Sequence, residues 1–149
     1  MSSVLVTGGT GFVGRHLARE LGRQGQRVDV VVRAGSTRVA DLGPSAVRHE
    51  LSLPSLEVGE VITATEPSVV FHLATHFTAK HEPSEISAML DSNVTYGTAV
   101  AQACADSGAR LVHVTSAWQH LGGAAYEPVS LYAATKQALV DIVRYFEIA

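Results

Sequence analysis

Ser3-Val4-Leu5-Val6-Thr7-Gly8-Gly9-Thr10-Gly11-Phe12-Val13-Gly14 is the stretch that decides the fold. A short apolar run stops on glycines, and a helical pattern through Val13, Leu17 and Leu21 opens at once over residues 11–24. That order reads strand, tight turn, helix. Each glycine has its own task. Gly8 permits the turn, Gly11 lets backbone N–H groups approach a ligand closely, and Gly14 lets the helix pack against the strand. The helix start then offers unpaired N–H groups and the positive end of a dipole, which suits a pyrophosphate.

The same alternation continues along the chain. Residues 27–32 are β-branched and read as a buried strand, residues 46–50 as a weaker one, and residues 68–73 as a third strong apolar run. Residues 110–114 form the last strand. Helical spacing is expected over 54–65, over 83–107 (Ile86, Leu90, Val94, Val100, Ala101, Cys104) and over 131–148 (Ala138, Leu139, Ile142, Val143, Phe146). Gly108 is placed as a helix C-terminal glycine. Residues 33–45 read as loop. Strands that alternate with helices predict an α/β fold: a doubly wound parallel sheet of about five strands in the order 3-2-1-4-5. The long loops 75–82 and 117–130 follow strand carboxyl ends, where such sheets place ligands.

Bulk properties narrow the function. The 149 residues are 46% hydrophobic and 17% charged, with a formal charge of −3. One domain of ordinary composition is expected, with no basic footprint for nucleic acid and no polybasic stretch for a membrane. No apolar run spans a bilayer and no secretion signal stands at the N-terminus, so a cytoplasmic location is expected. The single cysteine, Cys104, falls on an apolar helix face and reads as a buried thiol. Asn93-Val94-Thr95 matches a glycosylation site, but it lies inside a helical pattern and is set aside. The seven histidines form no ligand spacing, so no metal is expected. His72 and His113 read as strand residues with satisfied nitrogens.

The end of the second strand sets the coenzyme. Arg33 stands there, with Ser36, Thr37 and Arg38 close behind. A guanidinium suits a 2′-phosphate where an acid would repel it, so NADP(H) is favoured over NAD(H).

The second informative motif is Tyr132-Ala133-Ala134-Thr135-Lys136. Only two lysines exist in the chain, Lys80 and Lys136. Residues i and i+4 share a helix face. An ammonium near a phenol favours the phenolate, so the pair suits proton exchange with a carbonyl or alcohol while a pyridine nucleotide carries hydride. Thr115-Ser116 ends the last strand, and the Ser116 hydroxyl is a candidate for polarising the substrate oxygen.

Together these residues resemble the extended short-chain dehydrogenase/reductase family, of the NAD-dependent epimerase/dehydratase type. Thr7–Gly14 resembles its coenzyme turn. Val70-Phe71-His72-Leu73-Ala74-Thr75 resembles the segment that passes the nicotinamide ribose, and Glu50-Leu51 the Asp-Leu pair near the adenine. Asn93-Val94-Thr95-Tyr96-Gly97-Thr98 resembles the Asn-Val-x-Gly-Thr helix segment, and Tyr132 with Lys136 the catalytic pair. The resemblance implies a coenzyme site of Gly8, Gly11, Phe12, Val13, Gly14, Arg33, Arg38, Glu50, Leu51, Leu73, Ala74, Thr75, Asn93, Tyr132 and Lys136. It implies catalysis by Tyr132, Lys136 and Ser116. Trp118-Gln119-His120 followed by Leu131–Ala138 is similar to nucleotide-sugar 4-ketoreductases, including those that make CDP-linked 3,6-dideoxyhexoses such as abequose. The implied function is NADP(H)-dependent reduction of a nucleotide-activated keto sugar. A nucleotide-sugar epimerase or dehydratase, or a non-catalytic dinucleotide-binding module, stands as the alternative.

Two departures from the family pattern follow. Ala117 stands where the family usually has Ser or Thr. The family also carries about as much chain again, for substrate binding; residues 1–149 correspond to its dinucleotide-binding part alone. The last strand is then expected to form an uncovered sheet edge, which predicts a shortened product or a homo-oligomer that covers it.

Overall fold

The computed structural model describes residues 3–37, 42–52, 56–123 and 125–148. Five parallel strands form one sheet: β1 (Ser3–Thr7), β2 (Arg27–Arg33), β3 (Ala46–Leu51), β4 (Val69–His72) and β5 (Arg110–His113). Their order is β3-β2-β1-β4-β5, as the sequence pattern predicts. The α-helices are α1 (Phe12–Arg23), α2 (Val58–Thr65), α3 (Ile86–Leu90), α4 (Tyr96–Ser107) and α5 (Leu131–Ile148).

Strand alternation divides the core into two layers. Val4, Val6, Val28, Val30 and Val32 pack on one face with Ala18 of α1. Leu5, Val31 and Val70 pack on the other with Val58 and Ile62 of α2 and Val100 and Cys104 of α4. Leu42, inside the stretch expected to be loop, is also buried in the first layer. Burial raises the Cys104 thiol pKa to about 11, so the thiol is inert.

The helix expected over 83–107 is not continuous. A 3-10 turn (Pro83–Glu85) leads into α3, and a π-helical turn (Asp91–Thr95) separates α3 from α4. The wider turn shifts the helical phase by a residue. Met89 is therefore buried, while Ile86 and Leu90, expected on the apolar face, are exposed. Gly108 closes α4 with a left-handed φ of 72°. At Gly97 a side chain would collide with Leu139, so the missing Cβ is what lets α4 and α5 approach.

The two layers leave the strand carboxyl ends free. Register aligns Thr7 with His72, and His72 with His113, in one row across β1, β4 and β5. β5 is the outer strand of the sheet.

Candidate functional site

The β1–α1 turn is built around Gly8. Its φ is 70°, and a Cβ there would lie 2.6 Å from the Ala74 nitrogen, so only glycine lets the turn meet the end of β4. Gly11 is the N-cap of α1 and supplies no side-chain cap, and the first turn holds no acid. The α1 N-terminus thus keeps its positive end and its free N–H groups for a ligand. Phe12 and Val13, on that turn, are exposed.

A cleft of about 1130 Å³ opens over this turn. Gly8, Gly11, Phe12, Val13, Gly14, Arg33, Leu73, Ala74 and Thr75, all expected to hold coenzyme, line it. Ser36 and Thr37 join them beside Arg33. The wall opposite comes from Ser84, Ser87, Ala88, Asp91, Ser92 and Tyr96. The residues present fit a dinucleotide: an uncapped helix start for phosphate and a strand-end guanidinium for further negative charge. Arg38 lies outside the described residues. Glu50, Leu51, Asn93, Tyr132 and Lys136, also expected to hold coenzyme, do not line the cleft; Glu50 is exposed, and Leu51 packs against the second core layer.

Asn93, inside the π-turn, ties the cleft to α5. Its Oδ1 accepts from the Thr75 hydroxyl (3.0 Å) and the His76 N–H (2.7 Å). Its Nδ2 donates to the His76 carbonyl (2.9 Å) and to Thr135 Oγ1 (3.0 Å). Both donors and both lone pairs of this buried amide are used.

Ser130 starts α5, accepting from the Ala133 N–H through its hydroxyl. The helix then presents Tyr132 and, one turn on, Lys136. Lys136 is 4% exposed. Burial lowers its pKa to about 8. Tyr132 sits in an aromatic cluster that the strand-end loops complete. Its ring lies 4.9 Å from Phe77, edge to face, and 6.4 Å from Trp118, and Phe77 and Trp118 are 5.5 Å apart. Phe77 and Trp118 are both exposed.

Ser116 caps the 3-10 turn Ala117–Gln119. Its hydroxyl accepts from the Trp118 N–H at 3.2 Å, and Gln119 Oε1 accepts from the Ser116 N–H at 2.8 Å. Among the described residues the Ser116 O–H has no acceptor and can donate. Gln119 is buried and also donates to Gln137 of α5, so the capping box anchors this loop to the helix that bears Tyr132. No sequence pattern marks Phe77, and Gln119 enters only as part of the Trp118-Gln119-His120 segment. Ser-x-x-Gln at 116–119 is a capping-box signal that identifies the latter. His120 is a loop residue whose Nδ1 meets the Ala125 carbonyl.

The two strand histidines depart from expectation. His72 Nδ1 and Thr7 Oγ1 are hydrogen-bonded at 2.8 Å. His72 Nε2 and both nitrogens of His113 are buried without a partner among the described residues. Strand register fixes where these rings go but supplies no hydrogen-bonding neighbour for them. Burial first, then nearby positive charge, lowers His72 to about 3 and His113 to about 4. No group of three or more metal-binding side chains occurs among the described residues.

Residues 4–148 match the family model described as the NAD dependent epimerase/dehydratase family. The chain belongs to that family. It is 34% identical over 144 residues to a ceramide reductase of Caulobacter vibrioides, covering 95% of this chain and 41% of that protein. MoeE5, solved in complex with UDP-glucose and NAD, is 29% identical, with a TM-score of 0.84, over 99% of this chain and 50% of that one. The UDP-glucose 4-epimerase of Thermotoga maritima, solved with UDP-glucose, shares the fold at a TM-score of 0.87 and 23% identity, over 98% and 51%. The chain thus spans about half the length of these family members. No helix among its described residues is long and apolar enough to cross a membrane.

Proposed function

We propose that this chain is the coenzyme-binding and acid–base half of an oxidoreductase that uses NADP(H) to reduce the carbonyl of a nucleotide-activated keto sugar. One observation carries the reading. An uncapped helix start and a strand-end arginine line one cleft, and a tyrosine one turn before a buried lysine packs against Phe77 and Trp118 of the loops that follow β4 and β5. The coenzyme, when bound, supplies the hydride. The N–H groups at the start of α1 hold the pyrophosphate, and Arg33, with Ser36 and Thr37, holds the 2′-phosphate. Leu73, Ala74 and Thr75 form the floor toward the nicotinamide side. Tyr132 donates its phenolic proton to the carbonyl oxygen, Lys136 lowers the cost of the phenolate, and the free Ser116 O–H polarises the same oxygen. Family membership and the UDP-glucose and NAD complex of MoeE5 support the substrate and coenzyme classes. An epimerase or dehydratase uses the same residues and differs in the substrate-binding part.

A second reading has its own support. The likeness to a ceramide reductase, and the exposed Phe77–Trp118 pair beside Tyr132, favour a ketone flanked by alkyl chain.

Coenzyme titration followed by turnover separates these readings. NADPH is expected to bind more tightly than NADH. A 4-keto nucleotide sugar is expected to be reduced faster than a keto-ceramide, with Tyr132→Phe lowering turnover by about 10²–10⁴-fold. The reverse order of substrates selects the lipid reading. NADPH binding with no turnover selects the non-catalytic module. Full turnover by Tyr132→Phe removes the catalytic assignment.

A further inference from the structure

The loop between β5 and α5 is folded on itself. The Glu127 N–H donates to the Gln119 carbonyl at 2.8 Å, the Leu121 N–H to the Glu127 carbonyl at 3.2 Å, and the Val129 N–H to the Trp118 carbonyl at 3.1 Å. Those bonds shape the loop but do not set where it stands against α5. One side chain does. Gln119 is 1% exposed. Its Oε1 accepts from the Ser116 N–H at 2.8 Å, and its Nε2 donates to Gln137 Oε1 on α5, also at 2.8 Å. Gln137 Nε2 in turn donates to Asp141 Oδ1 at 3.1 Å.

This series of bonds has one possible direction. It starts at a backbone N–H, which only donates, and ends at a carboxylate, which only accepts when ionised. Both amides are therefore oriented by their neighbours, and neither can turn over without setting like groups against each other. A polar side chain buried this deeply is costly unless its atoms are paired. Capping the 3-10 turn uses only Oε1; the Nε2 bond to α5 is a further tie that a cap does not require. Gln137 follows Lys136 on the helix that carries Tyr132. Among the described residues, Gln119 to Gln137 is the hydrogen bond by which residues 117–129 are held to α5. The Tyr132 ring meets Trp118, the neighbour of Gln119, at 6.4 Å.

We infer that Gln119 is a positioning residue: through Gln137 it fixes the β5–α5 loop on α5, and so sets Ser116 and Trp118 against Tyr132. Ser116 is gripped from two sides, since the Gln119 N–H also donates to its carbonyl at 3.1 Å. The Ser116 hydroxyl and the Tyr132 phenol are the two groups proposed to act on the substrate oxygen, so a shift of one against the other lowers the rate without weakening coenzyme. That consequence for turnover rests on the oxidoreductase reading above; the placement of the loop does not.

Trp118 is the only tryptophan in the chain, so its fluorescence reads the loop directly. It is 39% exposed, which leaves room for acrylamide quenching to rise by up to about twofold when the loop comes away. Gln137→Leu removes the acceptor on α5 and leaves the turn over 116–119 intact. Quenching is expected to rise toward that limit. With a 4-keto nucleotide sugar, kcat is expected to fall by about tenfold and the NADPH Kd to stay unchanged, since neither glutamine lines the coenzyme cleft. Gln119→Leu is expected to go at least as far. Gln137→Glu keeps an acceptor for Gln119 Nε2 and is expected to return both readouts to near the parent values; the like charge it sets one turn before exposed Asp141 is a minor cost. Should Gln137→Leu not fold, Gln137→Ala removes the same acceptor. A purely stabilising role lowers the urea midpoint but leaves quenching and kcat of the folded chain at parent values, and that result overturns the inference. A Gln137→Glu chain that behaves like Gln137→Leu overturns it as well. A parent chain without turnover removes the oxidoreductase reading and leaves the quenching comparison to decide the role of Gln119.

Discussion

Asn93 Nδ2 donates to Thr135 Oγ1 across 3.0 Å, and Thr135 in turn donates to the Tyr132 carbonyl at 2.8 Å. Two hydrogen bonds thus connect the π-turn to the first turn of the helix that carries Tyr132. With its other bonds to Thr75 and His76, Asn93 fixes the loop after β4 against α5. Replacing it by Ala leaves the His76 N–H and C=O without this partner. Asn93→Ala is expected to destabilise the chain by about 2–4 kcal/mol, from several lost bonds at roughly 1 kcal/mol each plus desolvated groups. A shift of the urea midpoint measures it. A loss no larger than that of a surface mutation means the loop is held elsewhere.

Gly8 permits a second test that separates backbone from side chain. Its left-handed φ and the 2.6 Å approach to the Ala74 nitrogen act together. Gly8→Ala is expected to cost more than the ~1 kcal/mol of a simple left-handed penalty, because β1's turn must also move away from β4. The expected result is a lower unfolding midpoint and weakened coenzyme binding. By contrast Gly35, with φ of 74° but open space around its Cβ, bears only the conformational penalty.

How much of this was legible in the sequence depends on what holds each part. Strands over 3–7, 27–32 and 68–73 announce themselves because β-branched runs between glycines and polar turns have few other stable forms. The glycine turn and the Tyr132–Lys136 spacing are local patterns, and the structure places both at strand carboxyl ends. The π-turn is not local. It puts Asn93 where Thr75, His76 and Thr135 meet it, and those partners are distant in sequence, so periodicity alone predicted one continuous helix. The unsatisfied His72 and His113 nitrogens are hidden for a similar reason: alternation tells which face a ring occupies but not what it meets there. Phe77 is a lone aromatic in a loop, with no period to mark it. Leu42 is buried from within a stretch whose composition reads as loop.

The buried imidazoles give the acid limb of stability a definite sign. An unfolded histidine titrates near 6.5, whereas folded His72 titrates at about 3. Between those values the unfolded chain binds a proton that the folded chain refuses. The stability present above pH 6.5 is therefore lost as pH falls toward 3, with a limiting slope of about 1.4 kcal/mol per pH unit for this one group. His113, lowered to about 4, adds in the same direction, discounted because it is only partly buried. Lys136 works in a different window: its contribution is complete above 10.5 and is lost as pH falls to about 8. Urea unfolding from pH 4 to 7 is expected to show midpoints that rise with pH. His72→Gln is expected to flatten that rise. Parallel curves for the variant and the parent chain place the acid sensitivity elsewhere.

Asp29 tests the middle of the sheet, where it pairs with Leu5 two residues before cleft-lining Val31. Its side chain is fully buried, accepts from Arg27 Nε at 3.2 Å and pairs with His49 Nε2 at 2.8 Å. Asp29→Ala leaves His49 without its partner and is expected to cost about 3 kcal/mol. Because Asp29 does not line the cleft, coenzyme affinity in the folded population is expected to stay within a few-fold of the parent. Equal losses of stability and affinity mean that the Asp29 network and the cleft are coupled.

The proposed coenzyme preference rests on Arg33. It ends β2 on the cleft wall, with its backbone fixed by the Ala34 N–H bond to the Leu51 carbonyl at 2.9 Å and the Ser36 N–H bond to its own carbonyl at 3.0 Å. The strand end is therefore held by the main chain, and the guanidinium can be removed without moving it. A charge-assisted contact to a 2′-phosphate at an exposed site is worth about 1.5 kcal/mol, or roughly tenfold in Kd. Arg33→Ser is expected to weaken NADPH by about that factor and to leave NADH nearly unchanged, because NADH has no 2′-phosphate to lose. Fluorescence titration of both coenzymes reads the ratio directly. Equal weakening of the two assigns Arg33 to the pyrophosphate or the adenine instead, and no change in either removes it from the site.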